Sequence, residues 1–462
     1  MTTVYIYVGM GSGVKRWGCG RAWGIGSRGF SSRLYHPVSH LPSPITLFSA
    51  VLPPSAPTPS INPFRVIQRH RNFRLFWFGQ TLSLVGTWMQ SMAEGWLALE
   101  LSNSAFVVGM VAAAQALPIL VLSLHAGVVI DRNDKLRIVR TAQTLLSFQA
   151  AALWYLTWSH HLTIAWLFIL ALANGTIIAF EIPARQSLIV DLVGRHDLPG
   201  AIALNSSGFN IARVVGPSIG ALIIAQLGIA WCFGVNALSY VAVLVGLFLI
   251  DLPDWIPPDR TVSPLEGIRE GVDYMRRTPS VNALIKFIGV YSVLGVPYLT
   301  LMPVVARDQL HLGAGGYGAL LACVGIGGVA GALSLASIGH RITRIRILTV
   351  SAYAFAVLLI AFSLVRNHFL AYPLLLGAGF MMITTNATAN STLQHLIPDE
   401  LRGRIMAAYS FVVVGLSQVV GSASSGTIAH AVGTAWAIRG AALIMLGYAY
   451  YAFNRQPELR GV

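Results

Sequence analysis

The sequence predicts an all-α membrane protein with twelve transmembrane helices arranged in two six-helix halves. Of its 462 residues, 55% are hydrophobic and only 10% are charged, whereas soluble domains contain about 25% charged residues. Twelve apolar segments are each long enough to cross about 30 Å of hydrocarbon. The two halves of the chain also resemble each other, which predicts an internal repeat.

The apolar segments are separated by polar turns, and they begin after a basic amphipathic stretch at 64–74. Such a stretch can lie on an anionic membrane surface. The predicted spans are 75–99, 105–130, 136–158, 162–186, 201–227, 231–251, 281–306, 315–339, 345–365, 369–394, 403–429 and 434–453.

The distribution of basic residues predicts the orientation of these spans. A formal net charge of +14 would by itself be compatible with nucleic-acid binding. The bases lie mostly in loops on one side of the predicted bundle, however, and the other side has only Arg307, Arg366 and Arg439. Cytoplasmic loops of membrane proteins carry such an excess of Lys and Arg. We therefore expect a lipid bilayer and no nucleic acid as partner, with both termini in the cytoplasm.

The chain divides into five predicted parts. Residues 1–62 are rich in Gly, Ser, Pro and Arg and contain neither a spanning run nor a signal-peptide pattern, so we expect a disordered extension, with a functional tail as the alternative. Residues 63–251 and 281–454 form the two six-helix halves, and 455–462 form a cytoplasmic tail. The loop 252–280 is the predicted cytoplasmic linker and contains an amphipathic helical pattern.

Two short motifs support the internal repeat. Asp197-Leu-Pro-Gly-Ala-Ile202 in the first half is matched by Glu400-Leu-Arg-Gly-Arg-Ile405 in the second. Each motif precedes a span that is rich in glycine and serine. A repeated six-span unit is therefore the expected architecture.

The turn between the second and third spans reads GVVIDRNDKLRIVR. Gly127 would let a neighbouring helix approach closely, and Asp131 ends a helix where it could face the positive N-terminus of a partner helix. The turn resembles the signature of the loop between the second and third spans in the major facilitator superfamily. The matching residues are Gly127, Asp131, Arg132 and Lys135, whereas Asp134 stands where the signature has its second glycine. The resemblance implies a conformational latch in a rocking transporter. The alternative is a basic loop that only sets orientation.

The predicted fifth span contains IARVVGPSIGALI. Small residues and proline at this spacing let two helices pack tightly and bend. This stretch resembles the antiporter signature of the superfamily's exporters through Arg213, Gly216, Pro217 and Gly220. Ala212 and Ala221 stand where the signature has glycine. The resemblance implies export coupled to proton entry, and a generic packing face is the alternative.

Polar stripes run along the first, fourth, fifth and tenth predicted spans. Polar faces on otherwise apolar spans belong against a water-filled cavity or a partner helix rather than lipid. The superfamily fold implies that these spans line a cavity. The candidate proton- or substrate-binding residues on the stripes are Gln90, Glu94, Glu181, Arg185, Asn210, Asn386 and Asn390.

Charged residues on these stripes need an explanation. Glu94 lies toward the outer end of the first span. If it is buried away from water, its carboxylate can carry a proton; the alternative is that it reaches the outer interface and is hydrated. Arg213 lies about 18 Å into the fifth span and needs a counter-charge, for which Glu94 and Glu181 are the candidates by depth. Its role is either substrate binding or an ion pair. Glu181 and Arg185 are one helical turn apart, so we expect a structural ion pair.

Longer stretches narrow the resemblance. Over 64–453 the chain resembles the bacterial efflux branch of the superfamily that includes the enterobactin exporter. The resemblance is seen in the stretches RNFRLFWFGQTLSLVGTWMQSMAEGWLALELSNSA, FEIPARQSLIVDLV and GVPYLTLMPVVARDQLHLG. It implies the major facilitator fold, the bacterial inner membrane, and proton-coupled export of a siderophore- or drug-like molecule.

Other functions remain open. One is an uptake symporter or facilitator of the same fold, and another is a transport-inactive membrane sensor or scaffold. The sequence contains no nucleotide-binding loop, no metal-ligand cluster and no nucleophile–base set. We therefore expect no cofactor and no enzymatic activity, a proton gradient as the energy source, and a monomer.

Overall fold

The computed structural model describes residues 64–253 and 273–456, and every element in these ranges is a helix. A short helix, Phe64–Arg69, precedes the first span. The spans are Arg71–Ser102, Ala105–Asp131, Lys135–Trp158, Ile164–Leu227 (the fourth and fifth together), Ala230–Phe248, Pro279–Gln309, Ala314–Ile338, Arg344–Leu364, His368–Leu396, Asp399–Ser410 continued by Phe411–Gly421 and Ser422–Val432, and Thr434–Arg455.

The fourth and fifth spans form one element with a break. Gly194 has a φ of +71°, which glycine adopts readily, and it divides the helix Ile164–Leu227 at this point. Eight helices in the described ranges are long and apolar enough to cross a membrane, and this double span is one of them. The first, third and twelfth spans carry more polar residues. The helix count therefore agrees with the predicted twelve-helix, all-α fold.

Parts of the predicted organisation fall outside the described residues. These are the extension at 1–62, most of the amphipathic helix expected within the linker 252–280, of which 273–277 are described and helical, and the end of the tail at 455–462. The two six-helix halves lie almost wholly within the described ranges.

The internal repeat is visible in how the halves pack. In the first half, the second and fourth spans meet so closely that a Cβ on Gly175 would overlap the carbonyl oxygen of Gln115. In the second half, the eighth and tenth spans meet in the same way, with Gly379 against the carbonyl oxygen of Val324. Glycines at such crossings let helix backbones touch inside a bilayer. The same helix pair is therefore joined by the same device in each half.

The halves are closed against each other at one end of the bundle. We call the end with the basic loops the basic end and the other the opposite end. At the opposite end Arg307 Nη1 donates to Asn103 Oδ1 at 2.8 Å, which joins the seventh span to the first. Near it, the rings of Trp96 and Tyr317 stack with centroids 5.9 Å apart. A Cβ on Gly426 of the eleventh span would lie 2.8 Å from the carbonyl oxygen of Ala105.

At the basic end, ion pairs and hydrogen bonds join spans within one half. Lys135 Nζ lies 2.8 Å from Asp191 Oδ2, between the third and fourth spans. In the second half, Arg344 Nη2 lies 2.9 Å from His395 Nε2. These two contacts at the basic end each lie within one half, whereas the contacts named at the opposite end join the two halves.

The short N-terminal helix is tied to the break between the fourth and fifth spans. Asp197 Oδ2 lies 2.7 Å from His70 Nε2 and 3.4 Å from Arg69 Nη1, and its Oδ1 lies 2.7 Å from His196 Nδ1. The hydrogen bonds with His70 and then His196 hold the pKa of the Asp197 carboxyl below its usual range. A lowered pKa means that this contact stabilises the fold above the unfolded pKa of about 3.9, and that the contribution is lost as the pH falls through the folded pKa.

Candidate transport cavity

A cavity of about 190 Å³ lies between the two halves. Its polar lining includes Ser91, Glu94, Gln115, Arg213, Thr300 and Gln418. The first, fifth and tenth spans contribute to its wall, as expected, together with the second, seventh, eighth and eleventh. The fourth span is not in the wall, because its polar residues bind partners on the second and third spans.

Amide side chains of the first half hold Glu94 at the cavity wall. Its Oε1 accepts a hydrogen bond from Gln90 Nε2 at 2.8 Å, and the same Nε2 donates to Gln149 Oε1 at 3.1 Å. Asn236 Nδ2 donates to Gln90 Oε1 at 2.7 Å. Glu94 is 5% exposed, so the structure selects the buried position over the hydrated outer interface.

The amide network continues to the second and fourth spans. Asn174 Nδ2 donates to Gln149 Oε1 at 3.5 Å, and Gln115 Nε2 donates to Asn174 Oδ1 at 2.9 Å. Sequence reasoning missed Gln115, Gln149 and Asn236 because none of them belongs to a polar stripe with helical spacing. The available signal was their position inside a span, where an amide needs a partner.

Glu181 and Arg185 form the predicted ion pair. Arg185 Nε donates to Glu181 Oε1 at 2.8 Å, and both side chains are buried. Gln143 Nε2 of the third span also donates to Glu181 Oε1, at 3.0 Å. The expectation of a structural pair is confirmed, and the contact with Gln143 fastens the fourth span to the third.

The counter-charge expected for Arg213 is not there. Arg213 is 9% exposed, and no hydrogen bond or ion pair within the described residues reaches its guanidinium group. Glu94 is bonded to Gln90 and Glu181 to Arg185, so neither candidate pairs with it. Two side chains at a similar depth on different helices need not meet. Each helix can be rotated about its own axis, and the sequence does not show which face points toward the neighbouring helix.

The small residues of the antiporter-like motif pack against the first span. A Cβ on Gly216 would lie 2.6 Å from Trp88 Cβ and 2.7 Å from the carbonyl oxygen of Val85. A Cβ on Gly220 would lie 3.0 Å from Met89 Cγ. The close helix packing predicted for this motif is therefore present, and Pro217 lies in the cavity wall.

We expect Gly216→Ala to destabilise the protein by about 1–3 kcal/mol, because the added methyl group would overlap backbone and a Cβ that cannot move independently. The thermal unfolding midpoint of the purified protein measures this. Gly440→Ala is the matched control, since a Cβ at Gly440 meets no atom within 4 Å. That change should be neutral or stabilising by up to about 1 kcal/mol. Equal midpoints for the two variants would contradict the packing argument.

Part of the cavity wall comes from a segment of the eleventh span that is not α-helical. Phe411–Gly421 forms a π-helix, and Gly415 and Gln418 on it line the cavity. π-helical turns in otherwise α-helical elements are frequent at functional sites. Sequence periodicity assumes 3.6 residues per turn, so it placed neither residue at the site.

The latch residues lie at the basic end. Lys135 forms its ion pair with Asp191, while Asp131 and Arg132 are exposed. Asp131 has no hydrogen bond or ion pair within the described ranges. Among the described residues, a Cβ on Gly127 would meet no atom within 4 Å, so the close helix approach expected there stays a prediction.

The remaining candidates lie outside the cavity wall. Asn210 Nδ2 donates to the carbonyl oxygen of Ser206 on its own helix at 2.8 Å. Asn390 accepts a hydrogen bond from Gln394, and Asn386 is buried with both amide atoms unpaired among the described residues. In the described ranges, no group of three or more His, Cys, Asp or Glu residues is arranged to hold a metal ion.

Comparison with known proteins identifies the family. The profile of the MFS_3 family, described as transmembrane secretion effectors, matches residues 60–459. The chain belongs to this family. It is therefore a major facilitator superfamily transporter and not an enzyme, and the resemblance to bacterial efflux proteins is confirmed.

Relatives of this MFS_3 transporter are named for siderophores and drugs. The Staphyloferrin A transporter of Staphylococcus aureus is 25% identical over 84% of this chain and 97% of its own. The multidrug efflux pump Tap of Mycolicibacterium fortuitum is 26% identical over 78% and 89%. The enterobactin exporter EntS of Escherichia coli is 23% identical over 74% and 81%.

A solved structure with the same fold is a bacterial homolog of the human lysosomal transporter Spinster in an inward-facing, unoccupied conformation. It matches with a TM-score of 0.68 and 13% identity, over 85% of this chain and 97% of its own. The likeness confirms the predicted major facilitator fold. The MFS_3 transporter described here is accordingly a multi-pass membrane protein.

Proposed function

We propose that this MFS_3 transporter exports a siderophore- or drug-like small molecule by proton-coupled alternating access. The observation that carries the proposal is a cavity shared by both halves, with a buried carboxylate, Glu94, in its wall. The relatives named as exporter and efflux pump support the outward direction.

The arrangement of contacts supports a rocking mechanism. The halves meet at the opposite end through Gly109 and Gly426, and through Arg307 and Asn103. Opening that end would separate these contacts, while the ion pairs within each half could persist. Alternating access of this kind needs two rigid halves around a fixed site.

The cavity volume limits what this conformation can hold. Pockets for drug-sized ligands measure about 300–1,000 Å³, and this one measures about 190 Å³. A siderophore-sized cargo therefore requires the halves to separate further on one side. In the proposal, Asp131 and Arg132 latch the basic end once it closes, both termini are cytoplasmic, and the transporter is a monomer in a bacterial inner membrane.

Everted membrane vesicles test the proposal, because their cytoplasmic face is outside and their lumen can be made acidic. We expect radiolabelled siderophores or drugs to accumulate in the lumen when the gradient is imposed, and a protonophore to abolish this accumulation. Vesicles without the transporter provide the background.

Each rival function predicts a different result. An uptake symporter would accumulate cargo in right-side-out vesicles, and a facilitator would equilibrate it with or without the protonophore. A sensor or scaffold would move nothing in either orientation. Accumulation that survives collapse of the proton gradient would disprove proton coupling.

A further inference from the structure

We infer that Arg213 binds an anionic group of the cargo, a carboxylate or a deprotonated catechol that presents two oxygens. The inference rests on the proposed transport function and specifies the class of molecule that the cavity accepts. It is carried by the unpaired guanidinium group, by the lack of a free counter-charge among the described residues, and by the position of Arg213 in the wall of the central cavity.

The guanidinium group of Arg213 is buried without compensation. Its side chain is 9% exposed, and its Nε and Nη2 have no hydrogen-bond partner among the described residues. Arginine stays protonated in proteins, so this site cannot relieve the cost of burial by losing its charge. An unpaired buried ion is strongly unfavourable, which means that the site is incomplete without an acceptor.

The described residues do not supply the missing anion. The buried carboxylates of the described residues are Glu94 and Glu181. Glu181 already accepts hydrogen bonds from Arg185 and Gln143. Glu94 accepts one from Gln90 and is fixed by the amide network of the first half. Arg213 therefore differs from Arg185, which lies at a similar depth of burial but has its carboxylate.

The space around Arg213 suits a ligand. The residue lines the central cavity, and its guanidinium reaches the eighth span of the other half, where a Cβ on Gly328 would overlap Nη2. Gly325 similarly faces Val214 and the backbone of Arg213. The two glycines leave room for the guanidinium group at the boundary between the halves. Arg213 Nε and Nη2 are covered in this conformation, so an anion would reach them as the halves move apart.

The geometry of the donor points to the class of anion. A guanidinium group offers parallel N–H donors that match two oxygens of one planar group, which is the arrangement found with carboxylates. Adjacent catecholate oxygens present a similar pair. The cavity of about 190 Å³ is too small for a whole siderophore. Arg213 would thus hold one arm of a larger molecule.

Equilibrium binding to the purified full-length protein in nanodiscs tests this. The probes are radiolabelled citrate and 2,3-dihydroxybenzoate, with uncharged trimethyl citrate and cationic rhodamine 6G as comparisons. We expect the wild type to bind at least one of the two anions, and Arg213→Gln to weaken that binding by about tenfold or more. Because 2,3-dihydroxybenzoate also carries a carboxylate, unlabelled benzoate is added as a competitor: displacement by benzoate identifies the carboxylate as the bound group, and no displacement identifies the catechol.

Two further variants control for structural effects. Arg439→Gln removes an arginine that already has partners, since its Nε donates to Ser363 Oγ at 3.2 Å and its guanidinium lies over Trp436. It should bind the anions as the wild type does. Arg213→Lys keeps the charge but loses the paired donors, so its affinity should be intermediate. If Arg213→Gln does not fold, the affinity of a folded Arg213→Lys decides the question.

Several outcomes would overturn the inference: no binding of either anion by folded wild type, equal affinity in Arg213→Gln, wild-type affinity in Arg213→Lys, or equal binding of the ester or the dye. The vesicle experiment separates this failure from failure of the proposed function. Export of neutral or cationic cargo without anion binding would refute the role of Arg213 and leave the exporter. Anion binding through Arg213 without gradient-driven movement of cargo would support the role of Arg213 and refute the proposed export.

Discussion

Glu94→Gln should reduce gradient-driven accumulation in everted vesicles to the level seen with protonophore. Glutamine has the same shape and keeps an oxygen that can accept the hydrogen bond from Gln90 Nε2, so the amide network should survive. It cannot take up and release a proton, however, so the proposed coupling would be lost. Exchange of labelled for unlabelled cargo without a gradient should persist, because exchange requires a working cavity but no net proton movement.

Glu100→Gln is the matched control for this prediction. Glu100 lies on the same span and also accepts a hydrogen bond, from Trp96 Nε1 at 2.7 Å, but it is exposed. Its replacement should leave gradient-driven accumulation intact. If Glu94→Gln accumulated cargo as well as the wild type did, another group would have to carry the proton. Loss of both accumulation and exchange would instead assign Glu94 to cargo binding or to the fold.

Glu181→Gln should destabilise the fold by about 3–5 kcal/mol, the typical cost of removing one partner from a buried ion pair. The pair joins Glu181 Oε1 to Arg185 Nε at 2.8 Å, and each side chain is less than one-tenth exposed. The loss leaves the guanidinium group of Arg185 buried without an anion. Thermal unfolding of the purified protein at neutral pH measures the effect.

A double variant and a surface variant make this result specific. Replacing Glu181 by leucine together with Arg185 by methionine removes both charges, so most of the stability should return. Lys135→Met breaks the ion pair with Asp191, whose side chain is 41% exposed. That loss should cost less than about 1 kcal/mol. A Glu181→Gln midpoint close to that of Lys135→Met would show that water reaches the buried pair.

Much of the fold was predictable because its determinants are local in sequence. The length of an apolar segment decides whether it can span the hydrocarbon, and loop bases decide the expected orientation. The ion pair of Glu181 and Arg185 was predictable for the same reason, since both lie on one helix turn. The crowded glycine at Gly216 could also be read from its spacing in the fifth span.

The site was less predictable because it depends on how helices rotate and cross. Counting residues along each span placed Glu94 and Arg213 at a similar depth. It could not show which face of each helix points toward the other helix. It also could not reveal the π-helical segment that brings Gln418 to the cavity. Among the described residues, a Cβ on Gly127 has no neighbour within 4 Å, and this depends on the packing of several helices.

The sequence by itself therefore determined the twelve helices, their division into two halves and the superfamily, because hydrophobic length and repeated motifs act within a helix or between equivalent helices. Only the tertiary structure decided that Glu94 is buried in an amide network, that Arg213 has no counter-charge among the described residues, and that contacts join the halves at the end away from the basic loops. Those properties arise from contacts between helices that are distant in sequence, and packing alone sets which side chains meet there.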